Sequence, residues 1–179
     1  MKFLTYQTEL RKSNSHFEWD TLHNQLFQDY DGTIYLVPRY FQTDGYTIPL
    51  IVTPIAGDRM EYDIRPAVQH DWECKYRFAL VVTLTEYELR QKRLLHTIVK
   101  HIDGQDIAID VCEDIPVKYL KVVPTTFVKT IRRFQRCLEC ISDMDNYHKK
   151  MIGNAVFLNI GWLINKPYKF NILNLYKNT

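Results

Sequence analysis

Two short segments rich in apolar and aromatic residues, 26–30 and 33–37, flank Asp31-Gly32. A two-residue Asp-Gly step between such runs is a strong hairpin signal, because both turn positions tolerate positive φ. It commits the first part of the chain to antiparallel β-structure, and residues 3–6 and 16–19 are plausible companion strands. Pro38 ends the second strand of the hairpin, and Gly45 and Pro49 punctuate the loop that follows.

Helical signals begin further on. Residues 65–76 read as a helix with Pro66 in its first turn, where a missing N–H costs nothing. Ala67, His70 and Asp71 then share a face. Thr85 and Glu88 form a capping-box pattern that starts a helix reaching about Lys100, with Tyr87, Leu94, Leu95 and Ile98 on its buried side and Asp103-Gly104 ending it. Residues 107–111 and 117–123 are apolar and β-branched, and read as strands. Phe127, Ile131, Phe134, Leu138 and Ile141 step by four, three, four and three, which draws one apolar stripe along a helix over 126–150. Lys129, Arg132, Arg133 and Arg136 fall on another face and read as solvated. A last helix spans 152–165, and the tail, 168–179, alternates apolar and polar residues as an edge strand or a docking arm would. The expected fold is α+β: a hairpin-rich N-terminal part with three or four helices in one domain, 1–179.

Composition agrees with a folded protein: 46% hydrophobic and 25% charged. A formal net charge of +2 is too small to imply a nucleic-acid partner. Met1-Lys2-Phe3-Leu4 runs at once into Thr5-Tyr6-Gln7, unlike a signal peptide. The longest apolar run, 155–164, falls short of a membrane span, so no membrane partner is expected. In that setting Cys74, Cys112, Cys137 and Cys140 are expected as free thiols rather than disulfides or a zinc site.

Short polar groups cluster in otherwise apolar, structured sequence over residues 35–76. Asp44 and Thr47 come from the loop, His70 and Asp71 from the helix. Buried without partners such groups are costly, so they pair with one another or with a ligand. As a catalytic set, His70 is the general base, Asp44 or Asp71 orients it, and Thr47 is a hydroxyl partner. As a metal set, Asp44 and His70 join Asp143, Asp145 and His148, a mixture of imidazole and carboxylate suited to one divalent ion. As a scaffold, the same residues tie the loop to the helix, and no cofactor is needed.

The same stretch resembles a family of phage and prophage proteins, domain-of-unknown-function family 1353. The likeness lies in Val37, Pro38 and Phe41, then Thr43, Asp44, Gly45, Thr47, Ile48 and Pro49, then Ala67, Val68, His70 and Asp71. Thr47 stands where the family has Ser, and Cys74 where it has Tyr, with Tyr76 following. Ser142-Asp143 and the segment from Asn154 to Trp162 fit the family's later parts, displaced by an insertion over about 81–140. The resemblance implies phage origin and a shared site. Phage origin, the twelve Tyr, nine Phe and three Trp, and a tail suited to docking together point to a structural or accessory component of the virion, made in the host bacterial cytoplasm and associating with other virion proteins or with itself. The alternative is a small, metal-assisted or metal-free hydrolase-like enzyme acting late in infection on the cell wall or another host polymer. His-Glu-x-x-His, a recognised wall-hydrolase signature, is absent from the sequence.

Overall fold

The computed structural model describes residues 1–6, 9–12, 19–45, 63–155, 167–169, 172 and 175. Among these the fold is α+β, with four helices and ten strands in antiparallel sheets. The strands are β1 (Lys2–Phe3), β2 (Leu10–Lys12), β3 (Trp19–Thr21), β4 (Gln25–Gln28), β5 (Ile34–Val37), β6 (Gln42–Thr43), β7 (Phe78–Val82), β8 (Leu95–Ile102), β9 (Gln105–Cys112) and β10 (Leu120–Pro124). The helices are α1 (Arg65–Tyr76), α2 (Glu86–Gln91), α3 (Phe127–Glu139) and α4 (Asn146–Ala155).

The hairpin at Asp31-Gly32 sits in the five-stranded sheet, ordered β1-β4-β5-β7-β10. Gly32 adopts positive φ (84°). The Asp29 carbonyl accepts from the Gly32 N–H at 3.1 Å, and the Asp29 N–H reaches the Thr33 carbonyl at 2.9 Å. The loop is thus longer than two residues, with glycine alone in the left-handed position. Leu26 faces Leu36, and Leu36 faces Leu80, so these three leucines line one side of the sheet. Phe27, Tyr35 and Ala79 line the other, against Cys137 of α3. Both faces of the central strands are buried, which is why their sequence is apolar at successive positions rather than alternating.

α1 has the bounds its sequence signals, with proline in its first turn and Arg77 as a left-handed C-cap (φ 62°) whose N–H bonds the Glu73 carbonyl. On α3, Ile131, Phe134 and Leu138 are fully buried and Ile141 beyond it is buried too, which bears out the stripe. α4 lies close to α3: a Cβ on Gly153 would sit 3.3 Å from the Gln135 side chain.

Three expectations need correction. The helix started by Thr85 has its capping box, but it ends at Gln91, not Lys100. Lys92 caps it, Arg93 turns left-handed (φ 57°), and the β-branched run Thr97-Ile98-Val99 continues as β8. Asp103 and Gly104, both at positive φ (50° and 82°), form the hairpin turn to β9 instead of a helix stop. Tyr87 is exposed and Ile98 partly so, while Leu95 is buried from a strand. The long helix is also two helices. α3 ends at Glu139, and Asp145 opens α4 by accepting from the Tyr147 and His148 N–H groups at 2.8 and 2.9 Å. The expected last helix begins within α4, and its remainder, 156–165, lies outside the described residues. In the tail, the Tyr168 N–H bonds the Lys75 carbonyl at 2.9 Å, and Ile172 and Leu175 pack on the core of their own chain.

Candidate functional site

α1 buries polar side chains that an ordinary helix would turn to water: Gln69, His70 and Glu73. Each has a partner. The His70 ring lies 5.0 Å from that of Phe134 on α3. His70 Nδ1 is 3.3 Å from Asp71 Oδ1, and Nε2 is 3.3 Å from Cys74 Sγ. The contact with Cys74 comes from helical geometry, since residues four apart share a face.

Asp71 reaches outward from the helix. Its Oδ2 accepts a hydrogen bond from Thr43 Oγ1 at 2.5 Å, and Thr43 Oγ1 accepts in turn from the Gly45 N–H at 3.1 Å. Gly45 has φ 76°, a conformation that favours glycine. So the Thr-Asp-Gly turn is clamped to α1 through Thr43, the end of β6. Asp44 is half-buried beside it. Thr47 lies outside the described residues.

The sequence groups Asp44 and Thr47 of the loop with His70 and Asp71, whereas the hydrogen bond that joins loop to helix comes from Thr43. That grouping leaves out Thr43 and Cys74. Cys74 could have been found from its i, i+4 relation to His70. Thr43 could have been found because a threonine opening an Asp-Gly turn commonly accepts the backbone N–H two residues on.

Burial acts against a charged imidazole at His70, but the neighbouring Cys74 sulfur and the Asp71 carboxylate outweigh it and raise its pKa from 6.5 to about 10. At neutral pH the ring then carries both protons, and its two N–H groups point at the sulfur and the carboxylate.

The metal candidates divide. Asp143 Oδ2 accepts from the Asp63 N–H at 2.8 Å and so fastens the segment entering α1. Asp145 and His148 pair with each other at 2.6 Å on the surface, and the hydrogen bonds from His148 hold the Asp145 carboxyl below its ordinary pKa. Among the described residues no group of three or more His, Cys, Asp and Glu side chains is placed to hold a metal ion. The four cysteines are free.

A second polar cluster was not foreseen. Glu73, fully buried, forms an ion pair with Arg133 of α3. Its carboxylate also accepts from Gln69 Nε2 at 2.8 Å, Thr130 Oγ1 at 3.0 Å and Thr125 Oγ1 at 3.2 Å. The Arg133 guanidinium lies 4.0 Å from the centre of the Tyr35 ring. Arg133 therefore does not belong to a solvated face, unlike Lys129 and Arg132, which are exposed. Arg136 pairs with buried Asp29 at 2.7 Å.

Compared with family models, curated proteins and solved structures, the chain has no match in any of the three. The function must be argued from the chain's own residues. No helix among the described residues is long and apolar enough to cross a membrane.

Proposed function

We propose that this chain is a bacteriophage protein serving as a structural or accessory component of the virion, with its polar site acting as a scaffold. Phage origin comes from the resemblance in residues 35–76. The scaffold role is carried by one observation: the Thr43–Asp71 bond joins positions 28 residues apart, and among the described residues Thr43, His70, Asp71 and Cys74 bond to one another. Such a network fixes where the loop leaves the sheet and needs no ligand to satisfy it. Synthesis in the host cytoplasm, followed by association with virion proteins or with itself, completes the reading. Neither membrane nor nucleic acid is part of it.

The rival is a hydrolase-like enzyme, and one observation favours it. Cys74, His70 and Asp71 form a thiol–imidazole–carboxylate row of the kind that activates cysteine nucleophiles. Its target would be the cell wall or another host polymer.

His70→Ala separates the two. In a scaffold it takes one partner from Asp71 and one from Cys74, and melting should show a loss of about 1–3 kcal/mol. The loss should also depend on pH. A raised imidazole pKa contributes its full stabilisation below pH 6.5 and loses it as pH climbs through about 10, so the gap between wild type and His70→Ala should shrink over that window. An enzyme would instead keep its stability in the variant and lose rapid alkylation of Cys74 by iodoacetamide. That result would replace the scaffold reading.

A further inference from the structure

The sheet edges of this protein differ in how they are protected. β1 and β6 are two residues long, and β2 is three and carries Arg11 and Lys12. β10 holds Lys121 and ends at Pro124. The outer side of β9 is met by the N–H of Tyr6, 2.8 Å from the Asp110 carbonyl. Shortness, lysine and proline are the usual guards against edge pairing. β8 is eight residues long and has no proline, its one lysine, Lys100, is paired with Glu9, and it carries Thr97-Ile98-Val99 at its middle, all exposed, with Val99 at 71%.

The register of the hairpin says which backbone groups β8 offers. The tight turn closes on Ile102 opposite Gln105, and the Glu113 N–H bonds the Leu94 carbonyl at 2.9 Å. Even-numbered residues of β8 therefore carry the ladder to β9. The N–H and C=O groups of Thr97, Val99 and His101 point the other way, and among the described residues β8 has no second strand beside it in the sheet.

We infer that β8 is a self-association edge, pairing antiparallel with β8 of a second copy about a two-fold axis at Val99. The strand is complementary to itself in this register. Val99 meets Val99 of the second copy, Thr97 meets His101, and Ile98 meets Lys100. No two like charges face each other. Each basic side chain of β8 already has an acid of its own chain: Lys100 pairs with Glu9, His101 with Asp106 at 2.9 Å, and His96 with Glu113 at 3.6 Å. The pairing forms about six backbone hydrogen bonds. It also closes on itself, because the outer side of β9 is met by Tyr6, so the product is a dimer and not a fibre. This hairpin falls inside the insertion relative to the resembled family, and the inference does not depend on the scaffold reading.

Sedimentation equilibrium of the full chain at micromolar concentration tests it, together with amide hydrogen exchange. The expected mass is twice the 21.4 kDa of one chain. The amides of Thr97, Val99 and His101 should be protected on dilution-sensitive terms. Val99→Lys sets two ammonium groups face to face at the axis and should weaken the dimer roughly tenfold or more. Val99→Pro removes only an outward N–H and should do the same. Circular dichroism of both variants checks that the monomer still folds. Should both fail to fold, the wild-type exchange pattern decides alone. A monomeric wild type, a dimer indifferent to Val99→Lys, or a dimer whose Thr97, Val99 and His101 amides exchange freely would each overturn the inference.

Discussion

Arg133→Ala should destabilise the fold by about 3–5 kcal/mol, the cost of leaving a buried charge without its partner. Glu73 is fully buried between α1 and α3, and the three neutral donors that remain, from Gln69, Thr125 and Thr130, cannot neutralise it. The variant also removes the guanidinium from the face of Tyr35. Replacing both partners by apolar residues of similar volume, Glu73→Leu with Arg133→Met, should recover most of the loss, because neither charge is then stranded. Urea denaturation of the single and double variants measures this directly. An Arg133→Ala loss of half a kilocalorie or less (~0.5), the cost of an ordinary surface change, would mean the pair is solvated.

Phe134→Ala should cost a comparable amount, about 3–5 kcal/mol, through lost burial and the cavity left behind. The ring is 1% exposed, at the centre of the α3 stripe, and lies against the His70 imidazole. Its removal should therefore show at the site as well as in the core. The ring signals of His70 should broaden or shift in NMR spectra of the variant more than those of the surface residue His101. An unchanged His70 signal would separate the site from the core.

These two residues illustrate how far the sequence could be read. Phe134 was legible because a helix repeats its buried face every three to four residues, and the stripe from Phe127 to Ile141 makes that period plain. Arg133 was not, because its neighbours Lys129, Arg132 and Arg136 are basic and suggest a wet face. Only the crossing of α3 over α1 brings it to Glu73, 60 positions away in sequence. The bounds of α1 were legible from Pro66 and the periodicity. The break after Glu139 was hidden, since no proline or glycine marks it and the cap at Asp145 depends on a side chain's choice of backbone partner.

β8 was misread for a related reason. Leu94, Leu95 and Ile98 have helical spacing behind a genuine capping box, and that pattern outweighed the β-branched run Thr97-Ile98-Val99 and the Asp103-Gly104 turn. In the site, His70 and Asp71 stood out as polar residues in an apolar helix. Thr43 did not, because Asp44 looked like the better ligand, whereas the turn geometry at Gly45 directs the threonine hydroxyl at the helix.

The central claim is that the site binds the loop to the helix, and the most direct measurement is a double-mutant cycle across the hydrogen bond from Thr43 to Asp71. Thr43→Val removes the donor and keeps the shape. Asp71→Asn removes the charge that makes the bond strong. Unfolding free energies of wild type, both single variants and the double variant, taken by urea titration at neutral pH, give the coupling. A scaffold predicts that each single variant is less stable than wild type and that the two losses overlap, with a coupling of about 1 kcal/mol or more. Single variants as stable as wild type would contradict it, as would losses that simply add to within about 0.3 kcal/mol.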